Sequence, residues 1–363
     1  MKWKSALDAD RCPHHMLREI CEEPKIVEAT LNQNLKTVGR IVDEASSKGY
    51  NLIYITGSGT SYHAGLACQF VFFNFGVPVT SLIPASEFPL WIPSVIDRRA
   101  LLIAISQSGE SSDILAAADT ALSRGMDIFA VTNTENSSLA KMAHYTLLTR
   151  AGQELAVTAT KSYVAQLAAL FLFSLELCER QRATGDFAFL RRRLLEAPNL
   201  IEEVIKSSNR VMSLLAEKYS DKSFFFALGT GPNYTTALEV ALKLKEACNV
   251  YAEGFATREF LHGPIQLIND RTPVIFILSS DEIKNLLSSM KSVRRFGAPI
   301  ISLCDSEDGL EDVSTERVLI QKNLPRIFSP ILYIVPLQLF AYYSSVVRGL
   351  NPDKPEKLSK VVK

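Results

Sequence analysis

Nine residues, Ala104-Ile105-Ser106-Gln107-Ser108-Gly109-Glu110-Ser111-Ser112, hold the densest set of groups able to grip an anion. They follow the apolar run Ala100 to Ile105 and precede a helical pattern over Asp113 to Arg124. A buried strand that ends in small hydroxyl residues and a glycine, then turns into a helix, gathers backbone N–H groups and hydroxyls around one point, which suits a phosphate. The competing reading is a serine-rich turn whose hydroxyl caps the helix.

The elements around this loop follow from the spacing of apolar residues. A helical lead-in covers 1–48, with Met16 to Cys21 and then Pro24 opening a long helix through Val27, Leu31, Leu35, Val38 and Val42. Beyond it, strands are expected at Leu52–Thr56, Val79–Ile83, Ala100–Ile105 and Asp127–Thr132, with helices at Tyr62–Phe75, Asp113–Arg124 and about Lys161 to Arg182. After a charged helical stretch near 183–222, the alternation resumes with strands Phe224–Leu228, Pro273–Leu278 and Pro299–Leu303 and helices Thr235–Ala247, Ile283–Phe296 and Ile331–Arg348. Strands alternating with helices imply parallel sheets with helical crossovers.

The two halves repeat at one offset. Gly57-Ser58-Gly59 with Tyr62 corresponds to Gly229-Thr230-Gly231 with Tyr234, 172 residues on, and the same offset carries Glu87-Phe88 onto Glu259-Phe260, Ile105 onto Ile277 and Gly125 onto Gly297. Several landmarks at one spacing indicate a duplicated α/β unit. The fold class is therefore α/β, two tandem doubly wound parallel-sheet domains with ligand crevices at the carboxyl ends of the strands. The expected boundaries are 1–48 for the helical segment, 49–182 and 183–350 for the two domains, and 351–363 for a tail. The copies differ at the serine loop: the second has Leu278-Ser279-Ser280-Asp281-Glu282-Ile283, without the glycine and with acids that would repel phosphate. That divergence favours a ligand role for the first loop.

Composition narrows the function classes. With 363 residues and 47% hydrophobic content, two cores can be filled. Lys plus Arg and Asp plus Glu are 39 each, so no net field attracts nucleic acid, and no nucleic-acid partner is expected. The Arg191-Arg192-Arg193 triplet reads as a solvated helix face. Met1-Lys2-Trp3-Lys4 lacks the apolar run of a signal peptide, and Leu167–Leu177 and Ile331–Val347 read as buried helices, not membrane spans. A soluble, cytoplasmic protein is expected. The six cysteines show no C-x-x-C pair and suit reduced thiols, and Cys12-Pro13-His14-His15 has no second cluster to complete a metal site.

At Gly57-Ser58-Gly59-Thr60-Ser61-Tyr62, at the Ser106–Ser111 loop and at Ala237 to Glu246, the chain resembles the isomerase half of glucosamine-6-phosphate synthase, a tandem of sugar isomerase (SIS) domains. Met16 to Pro24, Ala151 to Lys161, Leu261-His262-Gly263-Pro264 and Asp353 to Lys360 extend the resemblance over nearly the whole chain. It implies that Ser106, Gln107, Ser108 and Ser111 bind the phosphate of a hexose or hexosamine 6-phosphate, the last position being a Thr in most of the family. Ser61 would lie beside the sugar. Val157 and Ser359, the latter where the synthase has Ala, would contact it through the backbone. Glu246 would move a proton between C1 and C2, with Lys243 able to hold it ionised; His262, supplied by a neighbouring subunit of a homodimer, and Lys360 would open the ring. The resemblance implies no cofactor. Read without it, Glu246 is a surface ion-pair residue, His262 bonds its own turn, and Asp353 to Lys363 is a frayed end.

The synthase also carries a glutaminase domain with an N-terminal cysteine, whereas this sequence reaches the isomerase pattern within about fifty residues of Met1. The expected activity is therefore a glucosamine-6-phosphate deaminase that gives fructose 6-phosphate and ammonia. Alternatives are a deglycase acting on a fructosamine 6-phosphate, which needs room for the amine substituent, an ammonia-dependent or partner-dependent synthase, and a sugar-phosphate-binding regulator. The regulator is disfavoured because no basic recognition helix precedes residue 50.

Overall fold

The computed structural model of the chain describes residues 12–77, 80–96, 99–320 and 324–361. Met1-Lys2-Trp3-Lys4, on which the expectation of no leader rests, and Val79 lie outside the described residues. The chain divides into two compact units: one comprises Glu23–Glu154, Lys161–Pro198 and the tail from Ser359, the other residues 12–22, Leu155–Thr160 and Asn199–Leu358. They are called here the first and second units.

Helix α1 runs unbroken over His15–Lys48 with Pro24 inside it, so Pro24 does not open a helix as its position suggested. A proline within a helix forfeits the bond to the carbonyl four residues earlier and crowds that carbonyl. Long apolar stretches on both sides carry the helix through: Met16, Ile20, Val27, Leu31 and Val38 are all buried. The division between units falls at Glu22 and Glu23, beside this proline.

The first unit continues with β1 (Leu52–Gly57), α2 (Thr60–Asn74), β2 (Thr80–Pro84), α3 (Phe88–Trp91), β3 (Ala100–Ser106), α4 (Ser112–Ser123), β4 (Asp127–Thr132), α5 (Ser138–Met142), β5 (Tyr145–Leu148), α6 (Lys161–Arg180) and α7 (Phe187–Leu195). Its parallel sheet has the order β2-β1-β3-β4-β5. All seven residues of β3 are buried, as a central parallel strand covered on both faces requires. After α8 (Ala197–Lys218), the second unit builds β6 (Phe224–Gly229), α9 (Asn233–Cys248), β7 (Tyr251–Ala256), β8 (Val274–Leu278), α10 (Ser280–Arg295), β9 (Ile300–Cys304), β10 (Glu316–Leu319) and α11 (Ser329–Val347). Its order, β7-β6-β8-β9-β10, is the same one, and β1 and β6 are 172 residues apart at both ends.

Three strands, β5, β7 and β10, were absent from the sequence-based expectation. All three are sheet edges. The pattern over β7 is Tyr251-Ala-Glu-Gly-Phe-Ala, too polar and too short to read as a buried parallel strand. The apolar helices α6 and α11 occupy cores as expected: each is long and apolar enough to cross a membrane, and 89% of each apolar window is buried within the fold. The six cysteines are free, five of them buried, and His14 bonds the Tyr342 hydroxyl through Nδ1 at 3.0 Å.

The order 2-1-3-4-5 reverses direction between β1 and β3, and in the second unit between β6 and β8. Crevices open at such switch points beyond the carboxyl ends of the strands. Pro24→Ala should restore a helix bond in α1 and stabilise the protein by about 1–3 kcal/mol. Thermal unfolding of the two proteins checks this, and an unchanged or lower midpoint would show that the helix needs its proline.

Candidate functional site

The first unit's switch point is flanked by the β1–α2 turn and by the serine loop after β3. The loop is tied down on its β4 side. The N–H of Asn133 donates to the Gln107 carbonyl at 3.1 Å and that of Leu139 to the Gly109 carbonyl at 3.1 Å, while the Glu110 carboxylate accepts from the N–H and hydroxyl of Ser138, both at 2.8 Å. Gly109 sits at φ 66°, and a Cβ there would meet the Ser137 hydroxyl oxygen at 2.3 Å, so only glycine fits. Its N–H donates to the Ser106 hydroxyl oxygen at 3.1 Å, and the N–H of Glu110 donates to that of Ser108 at 3.2 Å.

Ser111 bears on the capping reading of the loop. It stands at the N-cap of α4, yet its side chain makes no capping bond. Ser137, at the N-cap of α5, does accept from the N–H of Ala140. The Ser111 hydroxyl and the opening N–H groups of α4 thus remain available at the mouth of the crevice. On the opposite wall Ser61, near the start of α2, is buried and accepts a 3.0 Å bond from the Gln166 amide of α6.

In the second unit, Glu246 is no surface ion-pair residue of the ordinary kind. Its neighbour Lys243 has a fully buried side chain, with Nζ 2.6 Å from Glu246 Oε2 and 3.3 Å from Glu239 Oε1. Glu239 is itself buried, whereas the Glu246 side chain keeps 22% exposure. Burial works against the Lys243 charge, but the two carboxylates outweigh it and raise the ammonium pKa above its ordinary value. The arrangement fixes Glu246 Oε2 against the buried ammonium, with Oε1 free of protein hydrogen bonds among the described residues. The spacing Glu239, Lys243, Glu246 was readable as i,i+4 and i,i+3 pairs; the burial was not.

His262 ends a 3₁₀ turn over Glu259–His262 and is exposed; among the described residues its side chain makes no hydrogen bond, so it does not brace its own turn. Val157 lies in a segment held by the Asp353 backbone and the Glu19 carboxylate. The N–H of Val157 donates to the Asp353 carbonyl at 2.9 Å, and Glu19 accepts from the N–H groups of Leu155 (2.5 Å) and Ala156 (3.3 Å). The Asp353 carboxylate also caps α1, accepting from His15 and Met16 at 2.9 and 2.8 Å. The tail is therefore anchored at Asp353 and is not frayed there.

Further on, the tail belongs to the first unit. Ser359 is exposed and donates to the Val361 carbonyl at 3.1 Å. Lys360 pairs with Glu154, a carboxylate with no exposure that also accepts from the N–H (3.0 Å) and hydroxyl (2.7 Å) of Ser162. Burial would raise the Glu154 pKa, but Lys360 and Ser162 outweigh it and hold the carboxyl below the usual range. Sequence reasoning missed Glu154, which no local pattern distinguishes from the polar residues beside it.

The corresponding loop of the second unit borders a cavity of about 230 Å³ and carries ion pairs and hydrogen bonds of its own. Arg326 pairs with Glu282 and Asp281, and Asn233 bonds Ser279 (3.2 Å) and Ser329 (2.9 Å). Burial pushes the Glu282 carboxyl up to about 7. The acids at this loop are thus matched by an arginine from the same unit.

Two like-ordered parallel sheets, with a hydroxyl loop at one switch point and a clamped carboxylate in the other unit, define a duplicated, doubly wound α/β protein. The chain belongs to the SIS domain family, which it matches over residues 50–175 and 218–348. It is 38% identical over 351 residues to the glutamine--fructose-6-phosphate aminotransferase [isomerizing] of Pyrococcus horikoshii, covering 96% of this chain and 57% of that protein. The protein of the same name from Thermococcus kodakarensis is also 38% identical, with 96% and 58% covered. The chain thus spans less than three fifths of these relatives. The C-terminal domain of glucosamine-fructose-6-phosphate aminotransferase from Francisella tularensis superposes with TM-score 0.87 at 28% identity, covering 96% of this chain and all of that one. A glucosamine-6-phosphate deaminase from Thermotoga maritima shares the fold, with TM-score 0.77 at 23% identity over 96% of this chain and 99% of that one.

Lys243→Met should leave Glu239 buried without its ammonium and destabilise the protein by about 3–5 kcal/mol. Adding Glu239→Gln should recover most of that loss. Urea unfolding of the single and double variants checks the coupling, which equal destabilisation by both would refute.

Proposed function

We propose that this chain interconverts the aldose and ketose forms of a hexosamine 6-phosphate with release of ammonia, acting as a glucosamine-6-phosphate deaminase. The observation that carries the reading is the clamp on Glu246. Moving a proton between adjacent carbons needs one base fixed in place that reaches both carbons, and a glutamate side chain anchored at one oxygen by a buried ammonium while keeping the other open suits that need.

In this reading the phosphate rests on Ser106, Gln107, Ser108 and Ser111, where hydroxyls and the α4 N-terminus meet. Ser61, Val157 and Ser359 line the sugar. His262 and Lys360 assist ring opening. Glu246 then takes the proton from C2 and returns it to C1, which leaves an imine at C2. Water adds to that carbon, the C2–N bond breaks, and fructose 6-phosphate and ammonia leave. These steps balance with water as the only co-reactant. The names of the relatives, which join isomerisation to fructose 6-phosphate, support the substrate class.

The proposal includes a cytoplasmic homodimer in which His262 serves the partner's site, a role that suits an exposed histidine with no bond to its own turn. Glucosamine 6-phosphate should release ammonia, and Glu246→Gln should lower kcat by at least about a thousandfold while sugar-phosphate affinity stays within a few fold. Coupled detection of ammonia and of fructose 6-phosphate measures this; full turnover by the variant would remove Glu246 from the mechanism. Mixed Glu246→Gln and His262→Ala subunits should regain part of the activity that each lacks alone. No regain would argue that each chain uses its own histidine.

A further inference from the structure

Glu154 has a second tie besides the one to the tail. It lies ahead of α6, and its carboxylate reaches the first turn of that helix: Oε1 accepts from the Ser162 N–H at 3.0 Å and Oε2 from the Ser162 hydroxyl at 2.7 Å. The plain reading is a capping group, since the opening N–H groups of a helix lack partners within it. A neutral acceptor would serve that purpose. An ionised carboxylate without access to water is unfavourable unless a cation meets it, and here the cation is Lys360, whose ammonium donates to Oε2. One oxygen serves the helix, and the other is shared between the helix and the tail.

Little else fixes that lysine. Asp353 anchors the tail through its carbonyl and its carboxylate, but Lys354, Lys357, Leu358 and Ser359 beyond it are exposed. Among the described residues past Asp353, Lys360 is the one whose side chain hydrogen-bonds outside the tail. The Ser359 hydroxyl donates to the Val361 carbonyl at 3.1 Å, which bends the chain around Lys360. A lysine carries its charge on a flexible four-carbon stem, so a bend in the backbone directs the stem without placing the ammonium. Glu154 Oε2 places it.

We propose that Glu154 is the positioning residue for Lys360: it holds the tail's ammonium at one place in the first unit, and ring opening depends on Glu154 through that lysine. The inference rests on the role proposed for Lys360 above and adds the residue that puts Lys360 in place. Glu154 itself touches no reacting atom. Misplacing by about 1 Å a group that acts on the substrate can cost roughly a hundredfold in rate, so the effect is a loss of turnover and not of sugar-phosphate binding.

Glu154→Gln separates positioning from capping, because the amide oxygen still accepts from the Ser162 N–H while the charge facing Lys360 is gone. Brief acetylation with acetic anhydride, read by mass spectrometry, gives the reactivity of Lys360 relative to Lys354 and Lys357 of the same tail. Glu154→Gln should raise it at least about tenfold, as the loss of a charge-assisted hydrogen bond allows. The kcat for glucosamine 6-phosphate should fall about a hundredfold with KM within a few fold. In a Lys360→Met background, the same change should alter the residual kcat less than about twofold. Unchanged labelling, as a purely capping role predicts, or a kcat loss of equal size without Lys360, would overturn the proposal. Should Glu154→Gln not fold, Glu154→Asp keeps the charge but shortens the side chain by one methylene, and it should raise the labelling at least about threefold; no rise overturns the proposal. If the unaltered protein leaves glucosamine 6-phosphate unconverted, the reaction proposed above fails, and the labelling alone decides whether Glu154 positions the tail lysine.

Discussion

A lysine ammonium with no access to water must be surrounded by opposite charge, and Lys243 fixes much of the second unit by that requirement. Positions 239, 243 and 246 fall on one helical face, and α9 packs that element among β6, β7 and α11. The buried partner Glu239 lies toward the start of the helix, and the partly exposed Glu246 lies toward its end. Glu246 is therefore set by a charge pair beneath it and not by solvent-side contacts. The carboxylate that the proposed chemistry needs is a by-product of satisfying a buried cation.

The two units carry one topology with differently built loops at the switch point. In the first, the loop is braced from the β4 side through Gln107, Gly109 and Glu110, which leaves the Ser111 hydroxyl without a capping role. In the second, the corresponding place is occupied by Arg326, Glu282 and the Asn233 hydrogen bonds. The acids of the second loop looked like a device against phosphate; in the structure they also serve as partners for an arginine.

Much of this was legible in the sequence, and what was not has a physical reason. Central strands such as β3 and β8 read as unbroken apolar runs because both their faces are covered, and the 172-residue offset survives because both copies keep one topology. The edge strands β5, β7 and β10 escaped because they pair on one side only and tolerate polar residues. The serine loop could be recognised as a candidate from residue types alone, but whether Ser111 capped its helix required coordinates. Glu154 left no local signal: its ion pair comes from a tail more than two hundred residues away.

The division of the chain does not follow the order of the sequence. Leu155–Thr160 belongs to the second unit although it comes from the first copy, and Ser359 and Lys360 belong to the first although they follow the second. Each unit is therefore built from separate stretches of the chain, so no single cut in the polypeptide would yield two intact halves.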